Sequence, residues 1–500
     1  MTNKTLLYGV LAVMSAFISL TTLSSCHKSD DKDTIETYST STQTTLVKAF
    51  GLQASNEVLT SLDSVFFTVD YDNGLIYNAD SLPVGTDVSA LKVTVSFYNT
   101  VNSAVFSITD AKKQSDTTIN YTTAMSTALD FTGKTTLTVT SADKTQVKDY
   151  RVMVLVHKEN PDSLKWSQSW RRDLPGLTSQ MRAFKVVQQG DLYRALALDG
   201  NACLLMTATS LNGSWSSQQV NVPFEPQVAS LTATAAALYM LDTAGELWTS
   251  ADGLSWDDCH VKWHSLLGAY DNRVLGIALD GTAYQHDEYP RSPGFEPAAV
   301  EESFPVAHSS GMIVTDNNWT LAQQAIIVGG YDAQGHLRSD VWGYDGANWG
   351  KINNTHSSAL PALADATLFP YYTFKSLPGV RRYGQQATWY VMGGKRADGT
   401  LNRNIYLSNT QGITWFAGDS TMSQPSFMPR FLGAQAMVDS EILTLNSTGS
   451  SANSPRRIQS LITSWECPYI YLFGGYNDRG ELLPSVWRGV YNRFTNAPLY

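Results

Sequence analysis

Three short apolar runs in this chain each stop at a pair of glycines: Ala325-Ile326-Ile327-Val328, Trp389-Tyr390-Val391-Met392 and Tyr469-Ile470-Tyr471-Leu472-Phe473. Runs of this length bounded by glycine predict strands buried on both faces. One spacing follows every pair: four residues, Gly, any residue, Leu, three residues, then a β-branched residue and an aromatic. The copies are Gly329-Gly330 to Val341-Trp342, Gly393-Gly394 to Ile405-Tyr406, and Gly474-Gly475 to Val486-Trp487. The paired glycines permit a close backbone approach or positive φ where a strand ends. The third glycine (Gly335, Gly399, Gly480) turns the chain into a returning strand. Trp349 and Trp415 then mark a further strand in two copies. Each unit therefore predicts one small antiparallel sheet with its own aromatic filler.

Weaker hairpins precede these units, around Leu198-Asp199-Gly200, Leu241 to Trp248 and Leu279-Asp280-Gly281. Counting Gly200, Gly245, Gly281, Gly335, Gly399 and Gly480 as turn glycines gives six units, with seven as the competing count. The last unit ends soon after Trp487 and lacks an outer strand, which Leu164 to Trp170 could supply. That would close a ring and remove its open edges. Upstream, Leu91, Val93, Val95 and Phe97 alternate with more polar positions, as do Tyr150, Val152, Val154 and Val156. Together with turns at Asp72-Asn73-Gly74 and Ser141 to Lys144, this period of two predicts a compact antiparallel sandwich over residues 46–158. Asn160-Pro161 marks the boundary to a second domain over 162–500.

The Gly-Gly, aromatic and Trp pattern resembles the kelch repeat of β-propellers. Ser408 to Trp415 also resembles the Asp-box of sialidase-type propellers, with Thr410 where the Asp should stand. The strand from Asp149 to Val154 is similar to those closing small Ig-like or cadherin-like modules. The whole layout resembles surface lipoproteins that couple an Ig-like β-sandwich to a six-bladed, alternatively seven-bladed, kelch-like (galactose-oxidase-like) propeller. The expected fold is all-β.

Lys4 followed by the apolar run Leu6 to Leu23 predicts a secretory leader over 1–25. Leu23-Ser24-Ser25-Cys26 resembles the lipobox of bacterial lipoproteins, which implies lipidation of Cys26. The polar stretch over 26–45 predicts a tether that builds no core. Its acidic start resembles signals that send lipoproteins to the outward face of the outer membrane.

The formal charge of −10 becomes −11 once the leader and its single Lys4 are removed. An acidic chain with no basic cluster argues against nucleic acid as a partner. Cys203, Cys259 and Cys467 fit no metal spacing and read as buried thiols, with a Cys203–Cys259 pair the alternative.

The kelch resemblance implies Pro-Arg or similar at the entry of each inner strand. Arg381-Arg382-Tyr383, Pro429-Arg430-Phe431 and Pro455-Arg456-Arg457 are the candidates, giving Arg382, Tyr383, Arg430, Arg456 and Arg457 as ligand-binding residues. Guanidinium forks there would hold carboxylate, sulfate or hydroxyl groups, or else bond carbonyls between blades. The polar tips Asp332–His336, Lys395–Asp398 and Asn477–Arg479 read as recognition loops or solvated turns. No nucleophile elbow, phosphate loop or metal-binding His pair appears, and no cofactor is expected. The pairs Asp257-Asp258, Asp287-Glu288 and Glu301-Glu302 could serve glycoside hydrolysis, but such acids are common on surfaces. The expected role is binding of a glycan or surface protein, with a membrane link through the lipid alone. A carbohydrate-active enzyme and a structural component of a surface complex are the alternatives.

Overall fold

The computed structural model describes residues 42–109, 116–160, 163–200, 202–317, 320–353, 358–376, 383–444 and 464–492, with backbone alone at 372–376, 383–387, 444 and 464–465. Cys26, Arg382, Arg456 and Arg457 lie outside the described residues, as does the side chain of Tyr383. The fold is all-β. The chain divides into two compact units meeting between Lys158 and Glu159.

The N-terminal unit holds a two-stranded sheet, Val47–Leu52 against Val93–Phe97, and a six-stranded sheet. Leu91, Val93, Tyr150, Val152 and Val154 are buried, so the period-two pattern faces one core, which also takes Phe106, Leu137 and Val139. The expected turns form: Gly74 has φ 62° and Lys144 φ 64°. One feature departs from the antiparallel expectation. Leu75–Tyr77 pairs parallel with Val147–Met153, because its hairpin partner Thr68–Asp70 fills the outer edge. Short apolar strands carry no mark of which neighbour they will join.

In the second unit the described residues form six four-stranded sheets. The innermost strands are Ala183–Gln189, Thr232–Ala233, Ser265–Tyr270, Ile313–Asp316, Thr367–Ser376 and Gln435–Thr444. The three apolar runs are the second strands of the last three sheets, and Ala325 to Val328, Trp389 to Met392 and Ile470 to Phe473 are buried throughout. All six turn glycines lie between second and third strands at positive φ, from 60° to 87°.

The glycine pairs stand where adjacent sheets meet. A methyl group at Gly329 (φ 65°) would sit 2.2 Å from the carbonyl oxygen of Leu363 in the next sheet. At Gly474 (φ 62°) it would meet the Phe184 ring of the first sheet at 2.6 Å, which is the seam that closes the ring. The sixth sheet takes its outer strand from the start of the unit: Ser163–Asp173 pairs antiparallel with Ser485–Asn492, from Asn492↔Ser163 to Ser485↔Asp173. Trp166 covers Gly489 there, which explains a glycine within that strand. Cores of Leu, Val and aromatic side chains fill the spaces between successive sheets.

Candidate functional site

The inner strands of all six sheets line one central cavity of about 800 Å³. Its titratable groups are Arg182, Lys185, His264, His308, Asp365 and Tyr476. His308 and Asp365 occupy matching positions just before the inner strands of the fourth and fifth sheets, and Gly433 that of the sixth. All three adopt the left-handed region, with φ 56°, 50° and 67°. For His and Asp this conformation costs of order 1–3 kcal/mol and persists only where surrounding structure fixes it. Here the fixing contacts run between sheets. Asp365 N–H donates to the His308 carbonyl at 2.8 Å, and Gly433 N–H donates to the Asp365 carbonyl at 2.7 Å. The Asp365 carboxylate lies 3.0 Å from His308 Nδ1. That hydrogen bond raises the His308 pKa above its ordinary value, against the opposing effect of burial.

Lys185 sits on the first inner strand between buried Phe184 and Val186. Its Nζ donates to the Ala229 carbonyl at 2.7 Å, reaching towards the second sheet. Protein surrounding the ammonium pushes its pKa down to about 8, and Asp365 partly offsets this through charge. Tyr476 Oη accepts from Phe184 N–H at 3.2 Å across the closing seam, and burial raises its pKa. Burial lowers that of His264. Perturbed groups converging on a concavity make this cavity the candidate site.

The predicted arginines do not all precede inner strands along the chain. Only Arg430 precedes an inner strand; it is half-buried and is not among the residues lining the cavity. Tyr383 opens the second strand of its sheet, so Arg382 precedes that strand, and Arg456 and Arg457 likewise fall between Gln435–Thr444 and Ser464–Phe473. Arginine-bearing stretches in sequence cannot distinguish the first strand of a sheet from the second.

The glycine-turn tips are tied internally. Asp332 Oδ1 accepts from Gln334 and His336 N–H, Asp398 Oδ1 from Thr400 N–H, and Asn477 Oδ1 from Arg479 and Glu481 N–H. Thr410, in the Asp-box position, accepts from Thr414 N–H at 2.9 Å, while Trp415 Nε1 donates to the Gly412 carbonyl. A hydroxyl can therefore do the turn-holding work of the missing carboxylate.

Asp287 and Glu288 are buried within the third sheet, not aimed into the channel. Arg291 Nε and Trp263 Nε1 donate to Asp287, and Arg273 lies 2.7 Å from Glu288. Cys203 and Cys259 are buried free thiols in different clusters, and Cys467 is also free. Among the described residues no group of three His, Cys, Asp or Glu is placed to hold a metal.

Residues 160–499 match the family model described as the DUF6242 beta propeller domain, and residues 19–154 match its N-terminal domain, a domain of unknown function. The chain belongs to the DUF6242 family. No curated protein matches it in sequence. Among solved structures, the DUF6242 chain is similar to the N-terminal domain of Nup159, at 10% identity and a TM-score of 0.30, covering 67% of this chain and 97% of that one. YCF48 from Cyanidioschyzon merolae matches at 12% identity and 0.29, covering 72% and 91%. A Trypanosoma rangeli sialidase matches at 10% and 0.32, covering 65% and 58%. Likenesses this distant carry no argument about activity.

Proposed function

We propose that this chain is a lipid-anchored cell-surface binding protein whose propeller takes a glycan or protein ligand at the mouth of its central channel. The observation that carries the reading is the convergence of Lys185, His308 and Asp365, from three different sheets, on one cavity. In this reading Cys26 bears the lipid, and the anchor holds the protein on the outward face of the outer membrane. Residues 26–45 serve as tether, the N-terminal unit is an Ig-like spacer, and the propeller is kelch-like. Among the described residues the cavity holds one carboxylate, Asp365, and not the pair that glycoside hydrolysis needs, which leads us to put binding ahead of catalysis.

A glycan array run beside a hydrolase screen tests the proposal. Binding without turnover, lost when Lys185 and His308 are replaced, supports it; turnover of any bound glycan refutes the binding-only role. Alanine at Arg382, Arg430 and Arg456 tests whether those arginines extend the site. Loss of lipid labelling in Cys26→Ser tests the anchor.

A further inference from the structure

The channel is a cationic interior in an acidic protein. Among the described residues its wall carries Arg182, Lys185 and His308, whose pKa is raised, against the single carboxylate of Asp365; His264, with its pKa lowered by burial, adds no charge at pH 7. The chain as a whole has a formal charge of −10. Asp365 holds both its carboxylate oxygens on His308 Nδ1, at 3.0 and 3.1 Å, and acts on Lys185 through charge without forming an ion pair with it. Among the described residues Lys185 has no ion-pair partner and makes one hydrogen bond, to the Ala229 carbonyl. An ammonium group carries three N–H donors. The other two have no protein partner among the described residues, at a half-buried cavity wall where an anion is worth more than it would be in open water. Beside this charge the wall offers neutral polar groups, among them Gln188, Thr232 and Ser309, that suit hydroxyls.

We infer, resting on the channel-binding reading above, that the recognised ligand carries a carboxylate, which docks against Lys185 while its hydroxyl groups meet the polar wall. An acidic sugar of the uronic type has this chemistry. The low pKa of Lys185 fits an ammonium still charged at pH 7 and short of solvent.

The experiment is calorimetric titration of the whole chain at pH 7 with glucuronate and with glucose. Three variants accompany it: Lys185→Met, Lys185→Arg and Gly311→Trp. Gly311 lines the cavity, and a Cβ added there meets no heavy atom within 4 Å, so this open position is chosen for a tryptophan expected to fill the channel. Tryptophan fluorescence confirms folding of each variant. The expected result is at least a tenfold preference for glucuronate, lost in Lys185→Met and Gly311→Trp and partly kept in Lys185→Arg. Glucuronate binding no better than glucose, or unchanged in Lys185→Met, overturns the assignment. Equal binding of both sugars that Gly311→Trp abolishes sinks the acid preference but keeps the channel reading. Glycan binding that survives the plug sinks the channel reading itself.

Discussion

Lys185→Met is expected to stabilise the propeller at neutral pH. Its pKa falls from 10.5 to about 8 on folding because protein replaces water around the ammonium. At about 1.36 kcal/mol per pH unit, keeping that charge in the folded state costs at most about 3.4 kcal/mol. The side chain is half-buried and solvent in the channel screens part of this, so a gain of about 1–2 kcal/mol is the working expectation. The sign follows from proton linkage. Between pH 8 and 10.5 the unfolded chain keeps the lysine proton that the folded chain has shed, so wild-type stability rises with pH relative to the variant. Buried thiols and phenols work in the opposite direction; Cys259, for example, is pushed up to about 11. They are common to both proteins, so the difference between them isolates Lys185. Urea unfolding followed by tryptophan fluorescence is the suitable assay, since all 13 tryptophans lie beyond residue 160 and report on the propeller alone. A variant no more stable than wild type at pH 7, with a difference that stays flat up to pH 10, would falsify the claim that this ammonium is desolvated.

The seams between sheets offer further tests. Gly329→Ala places a methyl group 2.2 Å from the Leu363 oxygen at positive φ and should cost about 3 kcal/mol or more in urea unfolding, whereas Gly335→Ala, at positive φ but in open space, should cost about 1 kcal/mol. Equal losses would mean that sheet contact is not what selects the first glycine. Trp166→Ala removes a buried ring from the strand that closes the sixth sheet, with an expected loss of about 3–5 kcal/mol; a shift under 1 kcal/mol contradicts the closing role. Because His308 has a raised folded pKa, its pair with Asp365 contributes fully below pH 6.5 and fades as pH climbs through the folded value. Both groups are reached by water, so the gap between wild type and Asp365→Asn should stay below about 1 kcal/mol at pH 6 and narrow by pH 8.5; a gap that widens reverses the sign. Cys203 and Cys259 should react with a thiol reagent only after unfolding, as counted by absorbance; labelling in native buffer contradicts their burial.

Backbone constraint is what the sequence made legible. A glycine that must hold positive φ against the neighbouring sheet, beside a carbonyl at Gly329 and a phenylalanine ring at Gly393 and Gly474, cannot be exchanged, so these three stand out by type alone and their spacing reveals equivalent units. The outer strand from Ser163 to Asp173 could be placed for a related reason: a sheet missing a strand and an unassigned Trp-bearing stretch imply each other. The site follows a different logic. His308, Asp365 and Gly433 occupy one structural position in three sheets, yet they share no side-chain chemistry, so no repeat spacing betrays them. What they share is a left-handed backbone, and that is visible only once sheets are laid side by side and the carbonyl of one is seen to receive the N–H of the next. Lys185 left a fainter trace, a single charge between Phe184 and Val186 on a strand otherwise built for burial. The expectation that each arginine stretch enters an inner strand failed for two of the three because residue type was read without strand order; whether those arginines bind a ligand is a separate question. Repetition in a propeller thus encodes how the sheets fit together. The candidate site lies where the copies differ at equivalent positions, so the comparison that finds it must be made across the channel rather than along the chain.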